Sequence, residues 1–167
     1  MEEYFKSKSK ELTVTIFNEQ TWEENKKYKT EHNFKCIYSC SLPITSIEEK
    51  KGLYVLEADT TNNKIQGIGF IKNVDSCKRI YNDKKYNQYT YIGHYHIDRK
   101  DMNTHEEKMI QVLDYLCFYG KSHLKRYSGI KRFPKKWIYN MREKIDILEF
   151  LRQMFELRKE NKQIRNV

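Results

Sequence analysis

Apolar positions change their period along this 167-residue chain. Between residues 34 and 97 they come in short runs rich in β-branched and aromatic side chains, bounded by turn formers, which is the strand signature. Residues 34–40 (Phe-Lys-Cys-Ile-Tyr-Ser-Cys) form one such run, ended by Pro43. Residues 52–57 and 64–71 form two more around the turn-forming cluster 59–63, so 52–71 predicts a hairpin with a several-residue loop. A fourth run covers 89–97, after a polar, Tyr- and Lys-rich loop at 74–88. Beyond residue 103 the spacing becomes helical. Met109, Val112, Leu113 and Leu116 predict a helix that opens on the capping-box spacing Thr104/Glu107 and stops at Gly120. Ile145, Leu148, Leu151 and Phe155 predict a second helix over 141–161. The first 33 residues lack strong periodicity. Leu12 to Phe17 fits a strand or a short helix, and Trp22 stands in a charged stretch. Residues 1–33 are therefore expected to be an N-terminal extension, and 34–167 the body of a single domain.

Composition narrows the class. Aromatics reach 14%, too many for a disordered tail, although the mean hydropathy is only −0.91. No stretch approaches the roughly 18 apolar residues of a membrane span, and residues 1–6 contain no apolar signal core. An intracellular protein with no membrane partner is expected. Ala58 is the sole alanine and Pro43 and Pro134 the sole prolines, whereas Lys, Asn, Ile and Tyr abound. That bias fits an AT-rich genome and discounts the net charge of +9 as a signal in itself. Its distribution is more telling, because residues 121–136 carry seven basic groups and no acid. Coding bias would spread lysine; it would not focus it.

That segment interleaves Lys121, His123, Lys125, Arg126, Lys131, Arg132, Lys135 and Lys136 with Tyr127, Phe133 and Trp137. Cations meet phosphates and flat rings meet unpaired bases, so a single-stranded nucleic acid is the expected partner. Lys72, Asn73 and Arg99, at strand ends, are expected to flank the binding entrance. Gly67 and Gly69 lie two apart on one strand face, which suits a bulge, a sharp barrel bend or the close approach of another backbone.

A second constellation is His94-x-His96. On an uninterrupted strand both imidazoles would share a face and could meet one metal. With Thr104-x-x-Glu107 downstream and Glu57 on an earlier strand, the outline resembles the zinc isopeptidases of the deubiquitinase type, with Thr in place of Ser and Glu in place of Asp. The competing expectation is two half-exposed strand histidines, with Thr104 and Glu107 acting as a helix cap. Cys36 and Cys40 share a strand face, Cys77 and Cys117 are isolated, and no close Cys-x-x-Cys pair suggests structural zinc. No phosphate-binding glycine loop, nucleophile elbow or dinucleotide fingerprint is present. No cofactor is expected.

Two family resemblances follow from these residues. Ile37-Tyr-Ser-Cys40, then 52–57, then the Gly-Ile-Gly strand 64–71 resemble the PUA-like superfamily (EVE, YTH and ASCH domains) over residues 34–100. That resemblance implies an α+β fold, a small mixed β-barrel with flanking helices, that binds RNA around a modified base. The implied base pocket would use Ser39, Tyr54, Gly67, Gly69 and Tyr91. Residues 64–73, 86–93, 97–101, 116–118, 123–126 and 133–134 resemble an uncharacterised family of large nucleocytoplasmic DNA viruses. That resemblance implies a host cytoplasm, viral factory or virion setting, and no activity. The expected function is a non-enzymatic module for single-stranded RNA, modified bases included. Its alternatives are a virion or viral-factory structural protein, and a zinc hydrolase using His94 and His96. Oligomeric state, and RNA against DNA, stay open.

Overall fold

The structure is a computed structural model that describes residues 1–120, 123–124 and 129–165. In chain order the elements are α1 (Glu2–Lys6), β1 (Lys10–Phe17), α2 (Glu19–Glu31), β2 (Cys36–Cys40), β3 (Gly52–Asp59), β4 (Lys64–Lys72), β5 (Tyr89–Gly93), β6 (Tyr95–Asp98), α3 (Thr104–Phe118), β7 (Ile130–Arg132), α4 (Lys135–Met141) and α5 (Ile147–Arg165). The fold is α+β. A five-stranded mixed sheet runs β6-β4-β3-β1-β7, and β2 pairs with β5 in a separate two-stranded sheet. Among the described residues neither sheet closes into a barrel, and β6 and β7 remain as edges.

The sheet separates two cores. On one face Leu12, Val14, Tyr54, Leu56, Ile65 and Ile68 pack against α3, α4 and α5 through Ile110, Leu113, Ile138, Leu151 and Phe155. On the other, Leu53, Val55, Ile71 and Phe17 meet the small sheet through Cys36, Tyr38, Cys40 and Tyr91. Such a three-layer stack lets β3 be buried from Leu53 to Asp59.

Four expectations change. First, the supposed N-terminal extension contributes an interior strand. β1 lies between β3, with which it runs parallel from Lys10↔Gly52 to Phe17↔Asp59, and the antiparallel β7. Its alternation buries Leu12 and Val14 toward the helices, while the buried Thr13 hydroxyl donates to the Tyr54 carbonyl at 2.8 Å. Second, the run 89–97 is two strands in two sheets. A Cβ at Gly93 would lie 2.1 Å from the Phe70 carbonyl oxygen, so the chain crosses there at a contact only glycine permits. Third, the cap of α3 falls one residue earlier. The Asn103 side chain accepts from Glu106 N–H at 2.8 Å and the Glu106 carboxylate from Asn103 N–H at 3.1 Å. Glu107 is thereby left to bind Arg99. Fourth, the last helix is interrupted. Asp146 accepts from Glu149 N–H at 3.1 Å, starting α5 afresh, and is itself held by Lys8 at 2.9 Å and the Tyr4 hydroxyl at 2.8 Å. No helix among the described residues is long and apolar enough to cross a membrane.

Candidate functional site

The residues expected to form one pocket are distributed by the sheet. Tyr54 points to the helical face and packs on Phe70 and Phe155, each with ring centroids 5.5 Å away. Tyr91 is buried on the opposite face, where its hydroxyl accepts from Ile44 N–H at 3.2 Å. Gly67 and Gly69 also face the small sheet, but the space they leave is filled. A Cβ at Gly69 would lie 2.0 Å from the Tyr38 hydroxyl, and one at Gly67 would lie 2.7 Å from a Glu57 carboxylate oxygen and 2.8 Å from His96 Nε2. What approaches these glycines is side chains, those of Glu57 and His96 at Gly67 and of Tyr38 at Gly69, and not the expected backbone. The register shift of the β3–β4 pairing falls beside Gly67, between Glu57 and Ala58.

That space holds a buried polar cluster which sequence spacing did not reveal as a unit. The Tyr38 hydroxyl donates to Glu57 Oε1 at 2.7 Å, and His96 Nε2 lies 3.0 Å from both Glu57 oxygens. Glu57 is 1% exposed. Burial would raise its carboxyl pKa, but the charge and hydrogen bond of His96, with Lys29 and the Tyr38 hydroxyl, hold it below the ordinary carboxylate value. Burial first, and then the Glu57 charge, push Tyr38 upward and Cys36 up to about 12, so that thiol is not a nucleophile near neutrality. His94, the other half of the expected metal pair, lies between the two strands and is exposed. Among the described residues no group of three or more His, Cys, Asp or Glu side chains is placed to hold a metal ion.

The strand-end residues are also committed elsewhere. Arg99 binds Glu107 at 2.6 Å, Asp114 at 2.8 Å and the Ile65 carbonyl at 2.9 Å, tying the end of β6 to α3 and β4. The Asn73 amide donates to the carbonyls of Ile44, Ile47 and Glu48. Lys72 is exposed but pairs with Gly52 at the start of β3. Arg132 in β7 meets Glu11 at 2.7 Å and donates to the Ser46 carbonyl. Lys131, also in β7, and His123 are half-buried, and the Lys135 ammonium sits 4.8 Å above the Phe5 ring. Lys121, Lys125, Arg126 and Tyr127 lie outside the described residues.

One concavity does join the expected features. A cleft of about 270 Å³ opens at the C-terminal ends of the parallel strands β1 and β3 and is bordered by the start of α2. Thr15, Asn18, Thr21, Ser39 and Thr60 line it with polar groups, and Tyr81 and Tyr86 with rings. Gly129, with φ of +71°, also lines it, within the basic segment and just before β7. Ser39 alone of the expected pocket residues is here; its hydroxyl lies 2.8 Å from that of Thr90. The Asn18-x-x-Thr21 pattern, a reciprocal helix cap, was the overlooked signal for this end of β1. Lys72 and Asn73 sit at the other end of the sheet, about 23 Å away along β3.

A larger groove of about 510 Å³ runs between β6 and α5. Of its cations, Arg158 binds Glu106 at 2.7 Å and Lys159 lies 4.6 Å over Tyr95, and Lys162 and Arg165 line it as well. Its wall also holds Asp101 and Glu106, whereas no charged side chain among the described residues lines the cleft. No protein-family model matches the chain, and no curated protein matches it.

Proposed function

We propose that the protein is a nucleic-acid-binding module that takes a base of single-stranded RNA into the cleft at Ser39, Tyr86 and Gly129. The adjoining phosphates are held by the basic segment 121–136. The observation that carries this reading is that Gly129, which belongs to the acid-free, +7 stretch 121–136, lines a cleft together with hydroxyls and two tyrosines. Hydroxyl and amide groups read base edges, rings stack on base faces, and cations neutralise phosphate. The reading requires no metal or catalytic group.

Replacing Lys125 and Arg126 together by Ala tests it. Phosphate contacts position without specifying, so binding is expected to weaken about equally for all sequences. The plot of log affinity against log salt should flatten by about 1.4 for two lost contacts to a single strand. Unchanged affinity and slope would remove the basic segment from the interface. Arg132 is left out of this variant because its charge is matched by Glu11.

A further inference from the structure

The far end of α2 carries an arrangement that the fold does not use for packing. Tyr28 and His32 are stacked face to face, with ring centroids 3.9 Å apart and planes 16° apart. Phe34 lies 6.4 Å from Tyr28 and 6.3 Å from His32, with its plane within 11° and 7° of theirs. Near-equal distances to both members of a stack place Phe34 beside it, not on top. The three rings therefore share one orientation, with Phe34 set to the side of the stacked pair. Among the described residues none of the three belongs to either core cluster, and His32 is exposed. One cation lies over the group, the Lys78 ammonium 5.7 Å above the Phe34 centroid, and Lys35 and Arg79, the sequence neighbours of Phe34 and Lys78, are exposed.

We infer that Tyr28, His32 and Phe34 form a stacking platform for a base of the same single strand whose neighbouring base enters the cleft. The inference rests on the nucleic-acid reading above and extends it to a second subsite. An acidic protein would satisfy the lysines but has no use for three parallel rings, whereas a single-stranded nucleic acid presents flat faces and negative charge together. The two subsites are joined by the same two segments. The first turn of α2 lines the cleft through Asn18 and Thr21, and its last turn carries the rings. The loop 74–88 lines the cleft through Tyr81 and Tyr86 and sends Lys78 to Phe34. Asn82 N–H donates to Glu24 at 3.2 Å, fastening that loop to α2. At about 1.5 Å of rise per residue, Tyr28 lies about 10 Å along the helix from Thr21, within reach of one short strand.

The test is the affinity of the full chain for an RNA strand on the order of ten nucleotides, in the wild type and in His32→Ala, Phe34→Leu and His32→Trp. Loss of a stacking face is expected to weaken binding by roughly 5-fold or more in the first two variants. The salt slope should not change, because no phosphate contact is removed. His32→Trp enlarges the flat face at an exposed position and is expected to bind more tightly. If the wild type binds and the three variants bind equally well, the platform is overturned while the cleft reading stands. If the wild type fails to bind any single strand at low salt, both fall.

Discussion

At the residue scale the most informative group is Glu57, a carboxylate at the centre of the molecule held by two unlike partners. Tyr38 gives it a neutral donor and His96 a donor that can carry charge. Tyr38→Phe keeps the ring and removes one donor, so unfolding free energy is expected to fall by about 1–3 kcal/mol, read from urea denaturation. An unchanged midpoint would mean that the hydroxyl is not needed. The pH dependence has a definite sign. The folded-state pKa of Glu57 lies below its unfolded value of about 4.3, so its stabilisation is complete above that pH and is lost as pH falls through the folded value. Glu106, held by Arg158, and Asp146, held by Lys8 and Tyr4, are shifted the same way and add to the same acid limb. Glu57→Gln should make that limb shallower. None of this was legible from spacing. Glu57 and His96 were read as members of a metal set with His94, but the bend after Gly93 leaves His94 outside. What the sequence did carry was the need for room, in two glycines opposite Glu57 and Val55.

At the scale of elements, legibility followed how local each signal is. β3 and β4 were readable because a turn-forming cluster separates two β-prone runs, and α3 because its apolar residues recur at helical spacing. Residues 12–17 fit a strand or a short helix alike, and their interior place in the sheet is not legible, because the partners of β1 come from far along the chain and its Thr13 and Thr15 look polar until the sheet buries them. β7 was hidden inside the basic segment, where Lys131 and Arg132 mask a three-residue edge strand. Leu12→Ala is therefore expected to cost about 2–5 kcal/mol, as for any large-to-small change in a core. A value within ±0.5 kcal/mol, typical of a surface site, would return residues 1–33 to the status of an appendage. Gly69→Ala drives a methyl against the Tyr38 hydroxyl and should destabilise by about 1–3 kcal/mol through overpacking. Chemical denaturation of the two single variants decides both points.

For the whole molecule, the architecture assigns different work to the two ends of the central sheet. The end bearing Lys72 and Asn73 is closed by the Asn73 amide, which fastens the 44–48 segment. The end bearing Thr15, Asn18 and Thr60 is open, and Gly129 of the most basic stretch lines it. The net charge of +9 is thus less informative than its placement. Sequence located the cations and one of the cleft residues, Ser39. It did not locate the cleft, because that concavity depends on β1 running parallel to β3 and on the loop 74–88 folding back beside α2. The most direct test of the account is the equilibrium affinity of the full chain for a single-stranded RNA, measured from low to high salt. The account predicts tight binding at low salt and a linear fall of log affinity with log salt, with a slope of roughly −0.7 for each phosphate held. Absence of binding at the lowest salt, or a flat response across the series, would contradict it.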